Sequence, residues 1–349
     1  MERKRLTMLI GAILLTVILV AAPLVGCAEE RVDQPEWEFQ VQVNAVPGVE
    51  PLWLVPARFA ELVDEYTNGR VFVDIRPKNE LVSMKEALES VSTGVVPAIT
   101  PFADYLSGSH PELMFFEVPG LVKNPAEDLQ PILDAGVWDI LDESMAEDNT
   151  KLVMYWTRGH AVSMACKTLY MRAPEDFEGI QISAPGGLLS EIIKAIGGAV
   201  TPIPGPELYQ SLQTGVIDAS FTSIDAGVLG EKIYEVAPYV VWYPADLTGE
   251  NPYVLLINMD VWDNFPEDIQ EDILRAGKEA SEYAAGVTYD YLDGVEDQLS
   301  AVGVTVEHLT DAETAVLVGL TQETVRQWWL DQTGDMGNQI IDIIAKYYK

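Results

Sequence analysis

The sequence is poor in the residues from which metal sites, disulfide frameworks and most active sites are built. Its 349 residues include two cysteines and three histidines, and the histidines stand far apart, at His110, His160 and His308. They form no readable imidazole metal cluster, and no G-x-S-x-G, G-x-G-x-x-G or phosphate-loop motif occurs. We therefore expect no catalytic residue, no metal ligand set, no cofactor and no enzymatic activity.

Positive charge is scarce as well. The chain has 21 Lys and Arg residues against 55 Asp and Glu residues, so its formal net charge is −34. Such a surface repels phosphate backbones, which excludes nucleic acid as a partner. Acidic side chains also keep proteins soluble, so the charge does not by itself indicate a cationic ligand.

A long uncharged run lies near the N-terminus, over residues 8–25, after the basic start "MERKR". The following "LVGC" and its polar continuation resemble the bacterial lipoprotein box. We predict a signal peptide at 1–26, lipidation of Cys27, a tether at 27–37 and a globular part outside the cytoplasmic membrane. An uncleaved anchor and a non-lipidated signal are the alternatives. Cys166 has apolar neighbours and is expected to be a buried, inert thiol.

Strand and helix patterns alternate in two similar blocks. "EFQVQVNAV", "RVFVDIRP" and "VVPAIT" are strand patterns, separated by helix patterns that end at Gly69 and Gly94. The same β-α-β-α-β order returns over residues 179–222, so we predict two α/β lobes. A helix predicted over 267–299 is long enough to lie across both lobes.

The lobe boundaries follow from this pattern. We assign residues 38–160 plus 249–290 to lobe I and residues 161–248 plus 291–349 to lobe II. The tail 311–348 is predicted to be helical. Its helices could pair two copies or pack on a lobe, so both a monomer and a dimer remain possible.

Two lobes imply a cleft, and ligands of α/β sheets bind beyond the C-terminal ends of the strands. The turn "SAPGG" from Ser183 to Gly187 follows a predicted strand and precedes a helix. Its small side chains would let a ligand approach backbone N–H groups at the helix start. We expect Ser183 and Ala184 at the cleft; a tight turn without a ligand is the alternative.

Several spaced motifs resemble the extracytoplasmic solute-binding proteins of tripartite ATP-independent periplasmic (TRAP) transporters, the DctP type. They lie in "LYMRAPEDFEGIQISAPGG", in "IGGAVTPIPGPELYQSLQTGVIDAS" and in "YVLLINMDVWDNFPEDIQEDIL". The matching positions are Pro174, Asp176, Gly179, Pro185, Gly197, Glu207, Tyr209, Leu212, Gln213, Thr214, Gly215, Asp218, Trp262, Pro266 and Gln270.

The resemblance implies a two-lobed periplasmic binding protein, type II-like, with crossing hinge strands and a long lobe-spanning helix. Such a protein closes on one small-molecule ligand and delivers it to a permease of two membrane subunits, one small and one large, driven by an ion gradient. It needs no cofactor and is not an enzyme. A ligand-sensing module of a membrane signalling system is the alternative, because folds are reused.

The chain departs from the family pattern at the arginine that clamps a ligand carboxylate. Ser183 stands at that position, and a second common arginine position is vacated in Gly159-His160-Ala161. A closed cleft that kept a carboxylate ligand without the guanidinium would hold an unpaired charge, at a cost of about 3–5 kcal/mol. We therefore predict a neutral polar, aromatic or cationic ligand rather than an ordinary dicarboxylate. A carboxylate held by backbone N–H groups or by Arg158 is the alternative, although the register of Arg158 suggests that it points elsewhere.

Other candidate ligand contacts lie at strand ends or where the chain crosses between the lobes. For each aromatic residue among them, core packing is the alternative. An aspartate facing the cleft would favour a cation. The candidates are Asn44, Thr100, Trp156, Arg158, Phe221, Thr222, Asp225, Tyr243 and Asp246.

Overall fold

The computed structural model describes residues 34–45, 47, 50–184, 186–203 and 205–349. The predicted signal peptide, the lipidation site Cys27 and most of the predicted tether lie outside these residues. Within them, no helix combines the length and the apolar character that a membrane span requires.

The strands fall into two sheets. Their bounds are β1 (Trp37–Val43), β2 (Val71–Arg76), β3 (Ala98–Thr100), β4 (Thr150–Thr157), β5 (Val162–Cys166), β6 (Gln181–Ser183), β7 (Ala199–Val200), β8 (Ala219–Ser223), β9 (Tyr239–Trp242), β10 (Pro252–Asn258) and β11 (Val306–His308). One sheet has the order β2-β1-β3-β10-β4 and the other β11-β9-β5-β8-β6-β7. The predicted two-lobed α/β fold is confirmed by these two sheets.

Helices cover and connect the sheets. Their bounds are α1 (Pro51–Tyr66), α2 (Ala87–Ser92), α3 (Pro125–Ile132), α4 (Trp138–Ala146), α5 (Gly187–Ile196), α6 (Gly205–Thr214), α7 (Ala245–Thr248), α8 (Met259–Trp262), α9 (Glu267–Ala301), α10 (Asp311–Thr333) and α11 (Asp335–Tyr347). A further 3-10 segment spans Pro111–Glu117.

In the first sheet β1 runs parallel to its neighbours β2 and β3, whereas β10 pairs antiparallel with β3 and β4. Consequently the first residues of β10 lie beside the last residues of β1, β3 and β4, at the same end of the sheet. In the second sheet β5 is antiparallel to β8 and β9. The chain passes from the first sheet to the second after β4, and it returns to the first sheet between β9 and β10.

Helix α9 contributes to the apolar cores of both lobes. Its first half packs in the core beneath the first sheet through residues such as Ile273 and Ala280. Its second half packs with the second sheet through Leu292, Val295 and Leu299. With 35 residues and about 1.5 Å of rise per residue, the helix is about 50 Å long. The predicted lobe-spanning helix is therefore confirmed.

Two glycines permit close packing at the connections. A methyl group at Gly277 of α9 would stand 2.1 Å from the carbonyl oxygen of Val153, so the helix lies directly on β4. Gly249, which precedes the return to β10, has φ +62°, and a methyl group there would stand 2.3 Å from Cα of Glu117. Both contacts exclude any side chain.

The C-terminal helices pack on the protein's own surface. Helix α10 lies against α5 and α7, and its buried Trp329 donates from Nε1 to the carbonyl oxygen of Pro111 at 2.8 Å. Helix α11 also contacts the 3-10 segment and α3. This tail, assigned from the sequence to lobe II, thus touches elements on both sides of the predicted boundary. The boundaries themselves stay a prediction.

Candidate functional site

A cavity of about 350 Å³ lies between the two sheets. Its walls come from the ends of β1, β4 and β8, from the start of β10 and from α5. The lining residues are Asn44, Ala45, Glu50, Leu52, Lys78, Phe102, Tyr105, Arg158, Val162, Leu189, Thr222, Ser223, Ala226, Asn251 and Tyr253. The volume falls at the lower end of the range for small-molecule pockets.

A buried ion pair borders the cavity. Arg158 follows β4, and its backbone N–H donates to the carbonyl oxygen of Asn251 at 2.9 Å. Its guanidinium Nη2 donates to the Asp225 carboxylate, and the two side chains are 9% and 1% exposed. Burial alone would lower the pKa of the Arg158 guanidinium, but the Asp225 carboxylate raises it above its ordinary value. The guanidinium therefore stays charged despite its burial.

Aromatic rings form one wall. Phe102 lies 5.3 Å from Tyr253 and 6.0 Å from Tyr105, measured between ring centroids. Trp156 stacks on the far side of this group, 5.7 Å from Tyr253. Burial raises the pKa of Tyr253 to about 12, against the opposing effect of Arg158, so its hydroxyl remains a hydrogen-bond donor at neutral pH.

Three of the predicted contacts line the cavity, namely Asn44, Arg158 and Thr222. Two others support them. Thr100 is buried and accepts from the backbone N–H of Asn44 through Oγ1 at 3.3 Å. Asp225 is buried behind Arg158. The register of the sequence predicts that Arg158 points away from the cleft. This prediction is wrong, because β4 ends at the cavity and Arg158 lines it.

The other predicted contacts do not line the cavity. Ser183 and Ala184 are buried, and Ser183 pairs with Ser220 where β6 runs beside β8. Trp156 and Phe221 are buried in the apolar cores. Tyr243 is also in a core, and its hydroxyl donates to the carbonyl oxygen of Met171 at 2.7 Å. Direct ligand contact by these side chains stays a prediction without geometric support.

Asp246 lies in a different place. It lines a separate surface cavity of about 520 Å³ together with Lys123, Asp311 and other residues of the loop before α3 and the start of α10. The polar turn before the return crossing therefore faces outward, and not toward the cleft.

Sequence reasoning missed several cavity residues, above all Asn251 and Tyr253. Asn251 immediately precedes β10 and Tyr253 is its second residue, whereas the predicted contacts lie at strand ends or at the crossings between the lobes. Because β10 is antiparallel to its neighbours, its start meets their ends. The polar run "GEN" before a continuous apolar strand was the available signal. Glu50, Lys78 and Tyr105 carried no pattern that separates them from ordinary surface residues.

Two buried carboxyl groups meet beside the cavity. Asp104 follows the cleft residue Phe102, and a methyl group at Gly187, the first residue of α5, would stand 3.0 Å from its Oδ1. Both oxygens of Asp104 and Oε2 of Glu117 are covered, and they have no conventional donor among the described residues. Asn251 donates to the other Glu117 oxygen at 2.9 Å. Burial raises the pKa of Asp104 to about 7, and burial and then repulsion by Asp104 raise the pKa of Glu117 well above its ordinary value. The pair therefore shares a proton at neutral pH.

The carboxyl group of Glu250 connects the segments that cross between the lobes to α9 through hydrogen bonds. Glu250 is 1% exposed. It accepts from Thr157 Oγ1 at 2.6 Å and from the Tyr289 hydroxyl. These bonds link the end of β4, the start of β10 and the middle of α9. Within the described ranges, no cluster of three or more His, Cys, Asp or Glu side chains could hold a metal ion.

Comparison with known proteins agrees with this architecture. The sequence model of the family "Bacterial extracellular solute-binding protein, family 7" (DctP) matches residues 50–332. The chain is 26% identical over 259 residues to the C4-dicarboxylate-binding periplasmic protein DctP of Rhodobacter capsulatus, covering 74% of this chain and 76% of that protein. It is 23% identical over 295 residues to the ectoine-binding periplasmic protein TeaA of Halomonas elongata, covering 81% and 83% of the two chains.

Solved structures show the same fold. A TRAP periplasmic solute-binding protein from Ochrobactrum anthropi superposes with a TM-score of 0.79 at 22% identity, covering 90% of this chain and 96% of that one. One from Desulfovibrio salexigens with bound orotic acid gives a TM-score of 0.79 at 23% identity, with coverage of 89% and 98%. These relatives are solute-binding proteins and not enzymes, in agreement with the lack of catalytic motifs in the sequence. The chain therefore belongs to the bacterial extracellular solute-binding protein family 7, the periplasmic solute-binding proteins of TRAP transporters.

Proposed function

We propose that this protein captures one small organic metabolite in the cavity between its lobes and delivers it to a TRAP permease. The observation that carries the proposal is the cavity itself, which both lobes line and which has a charged, buried guanidinium in its wall. The permease would comprise the small and large membrane subunits that such transporters use, with an ion gradient as the energy source.

The ligand is not an ordinary C4-dicarboxylate. The resemblance puts Ser183 at the position of the family's carboxylate-binding arginine, and Ser183 is buried. The guanidinium that remains, that of Arg158, is already paired with Asp225. Relatives carry names as different as C4-dicarboxylate-binding and ectoine-binding, so membership of the family does not determine the ligand. A carboxylate held by Arg158 and backbone N–H groups is the competing possibility.

We also propose that the mature protein is a lipoprotein attached to the outer face of a membrane through Cys27. The support is the uncharged run followed by "LVGC". Replacement of Cys27 by serine should release the protein into the soluble extracytoplasmic fraction, and mass spectrometry of the wild-type N-terminal peptide should find an acylated cysteine. Release of the wild-type protein without detergent would contradict the anchor.

A thermal-shift screen of small metabolites tests the binding function. A ligand present at 100 times its dissociation constant stabilises the folded protein by about 2.7 kcal/mol. In a chain of this size, each kcal/mol of stabilisation raises Tm by at most about 2–4 °C. The expected rise in Tm is therefore at most about 5–11 °C. Transport of each hit should then require the permease. If no metabolite of any charge class raises Tm, the binding function is refuted.

A further inference from the structure

The guanidinium that faces the cavity already has a carboxylate partner inside the protein. Arg158 donates to Asp225, and both side chains are at least nine-tenths buried. Arg158 follows β4 of the first sheet, whereas Asp225 follows β8 of the second. The ion pair therefore joins the two lobes. Because it is shielded from solvent, mobile ions screen it weakly.

Asp225 lies behind Arg158 and not in the cavity wall. Arg158 is among the lining residues and Asp225 is not. The second oxygen of Asp225, Oδ1, is covered and has no hydrogen-bond partner in the described part of the chain. Asp225 can therefore act on a ligand only through its charge, which cancels that of the guanidinium.

The other charges around the cavity do not restore a positive field. Lys78 lines the cavity and lies close enough to Glu231 to counteract the rise that burial causes in the pKa of that carboxyl. Glu50 lines the cavity on the other side and acts on Arg158. The cavity wall thus holds two cationic side chains, Arg158 and Lys78, and one carboxyl group, that of Glu50. Further carboxyl groups lie outside the wall, namely Asp225 on Arg158, Glu231 near Lys78 and the Asp104–Glu117 pair. A free carboxylate entering here gains little from Arg158 and is repelled by Glu50.

The shape of the cavity restricts the ligand further. Its volume is about 350 Å³, and the rings of Phe102, Tyr105 and Tyr253 line one wall. Aromatic faces attract cationic groups and pack well against flat rings. A compact ring that carries one positive and one negative group leaves the charge balance of the cavity unchanged and uses both Arg158 and Glu50.

We propose that Asp225 is a specificity-determining residue, which neutralises Arg158 from behind so that the cavity selects small cyclic zwitterions over mono- and dicarboxylates. The ligand carboxylate accepts hydrogen bonds from Arg158, and the cationic nitrogen lies toward Glu50 and the aromatic wall. This inference rests on the proposed function, because it requires that the solute occupies this cavity.

Four five-membered ring compounds that differ in charge provide the test. They are pyrrolidine (cation), L-proline (zwitterion), L-pyroglutamate (anion) and 2-pyrrolidinone (uncharged), with succinate as the dianion. Isothermal titration of the mature protein at pH 7 should show proline binding at least tenfold more tightly than pyroglutamate, a difference of about 1.4 kcal/mol. Asp225→Asn frees the guanidinium, so affinity for pyroglutamate and succinate should rise at least tenfold relative to proline.

Two further variants separate charge selection from structural damage. Asp246→Asn removes the same charge at an exposed position outside the cleft, and it should leave the ratio of affinities unchanged. The double variant Arg158→Gln, Asp225→Asn keeps the buried pair neutral in case the single variant does not fold. It should bind proline more weakly and gain nothing for pyroglutamate.

The outcomes distinguish this inference from the proposed function. Tighter binding of pyroglutamate or succinate by the wild-type protein would overturn the role of Asp225, as would an Asp225→Asn protein with unchanged preferences. If none of the five compounds binds, the net charge of the hits in the metabolite screen tests the inference instead. Hits with zero net charge support the inference, anionic hits overturn it, and a screen without hits refutes the binding function instead.

Discussion

The buried carboxyl pair beside the cleft makes stability depend on pH, and Asp104→Asn should remove most of that dependence. The folded protein holds Asp104 against Glu117 with both carboxylate oxygens covered, although the residue as a whole is only half-buried. Asparagine has nearly the same shape and cannot ionise. Its amide N–H₂ can also donate to the Glu117 oxygen that lacks a partner.

The sign and the size follow from the pKa of Asp104. It is about 7 in the folded protein against an ordinary value of 3.8, so the folded state binds the proton more tightly than the unfolded chain. The contribution to stability is fully present below about pH 4 and is lost as pH rises through about 7. A shift of about three units corresponds to at most about 4 kcal/mol. About two of these three units are lost between pH 5 and pH 8, so we expect a loss of about 2–3 kcal/mol over that range.

Urea denaturation at pH 5, 6, 7 and 8 measures this loss. The wild-type free energy of unfolding should fall across the series relative to that of Asp104→Asn, and the variant should be the more stable protein at pH 8. His110, whose pKa is raised by Glu112 and Asp148 against the effect of burial, also titrates in this range. It is present in both proteins, so the difference between them reports the carboxyl pair, namely Asp104 and the rise that Asp104 causes in the pKa of Glu117.

Asp139→Asn is the matched control, because Asp139 is exposed on α4. Its stability should follow the wild-type curve. The reasoning is refuted if the wild-type and Asp104→Asn curves stay parallel from pH 5 to pH 8.

Two further predictions concern the long helix. Gly277→Ala would place a methyl group 2.1 Å from the Val153 carbonyl oxygen, so overpacking should outweigh the helix preference of alanine and lower stability by about 2 kcal/mol. Gly286→Ala in the same helix meets open space and should raise stability by up to about 1 kcal/mol; equal effects of the two changes in thermal denaturation would disprove the close contact. Tyr289→Phe removes a donor to the buried Glu250 and should cost about 1–3 kcal/mol. Tyr283→Phe, at a 42% exposed position, should cost almost nothing, and a similar loss for both would show that the Glu250 contact is unimportant.

Local patterns were enough to predict most of the fold. Alternating apolar residues in β1 and glycines after α1 and α5 mark boundaries that the structure reproduces within a few residues. The glycine after α5, Gly197, adopts φ +107°, which explains why that helix ends there. Helix α9 could be predicted without knowing what it packs against, because both halves of the helix bury a stripe of apolar side chains.

The site was less predictable, because pattern alone does not reveal which side of a strand end faces the cleft. Phe221 and Tyr243 lie near strand ends, yet they pack against each other with ring centroids 5.7 Å apart in the core. Arg158 differs by being followed by Gly159, where the chain turns from one sheet to the other. Pairing between Arg158 and Asp225 joins residues 67 positions apart, and no local signal connects them.

The packing of α9 has a mechanical consequence. Its Ala284 belongs to the core of one lobe and its Leu292 to the core of the other, so any change in the angle between the lobes has to flex the helix between these points or shear a core. Gly286, with low helix propensity and an open surface, lies in that interval. Solute capture should therefore appear in hydrogen–deuterium exchange as slower exchange of the amides around residues 286–291, between the two lobe cores.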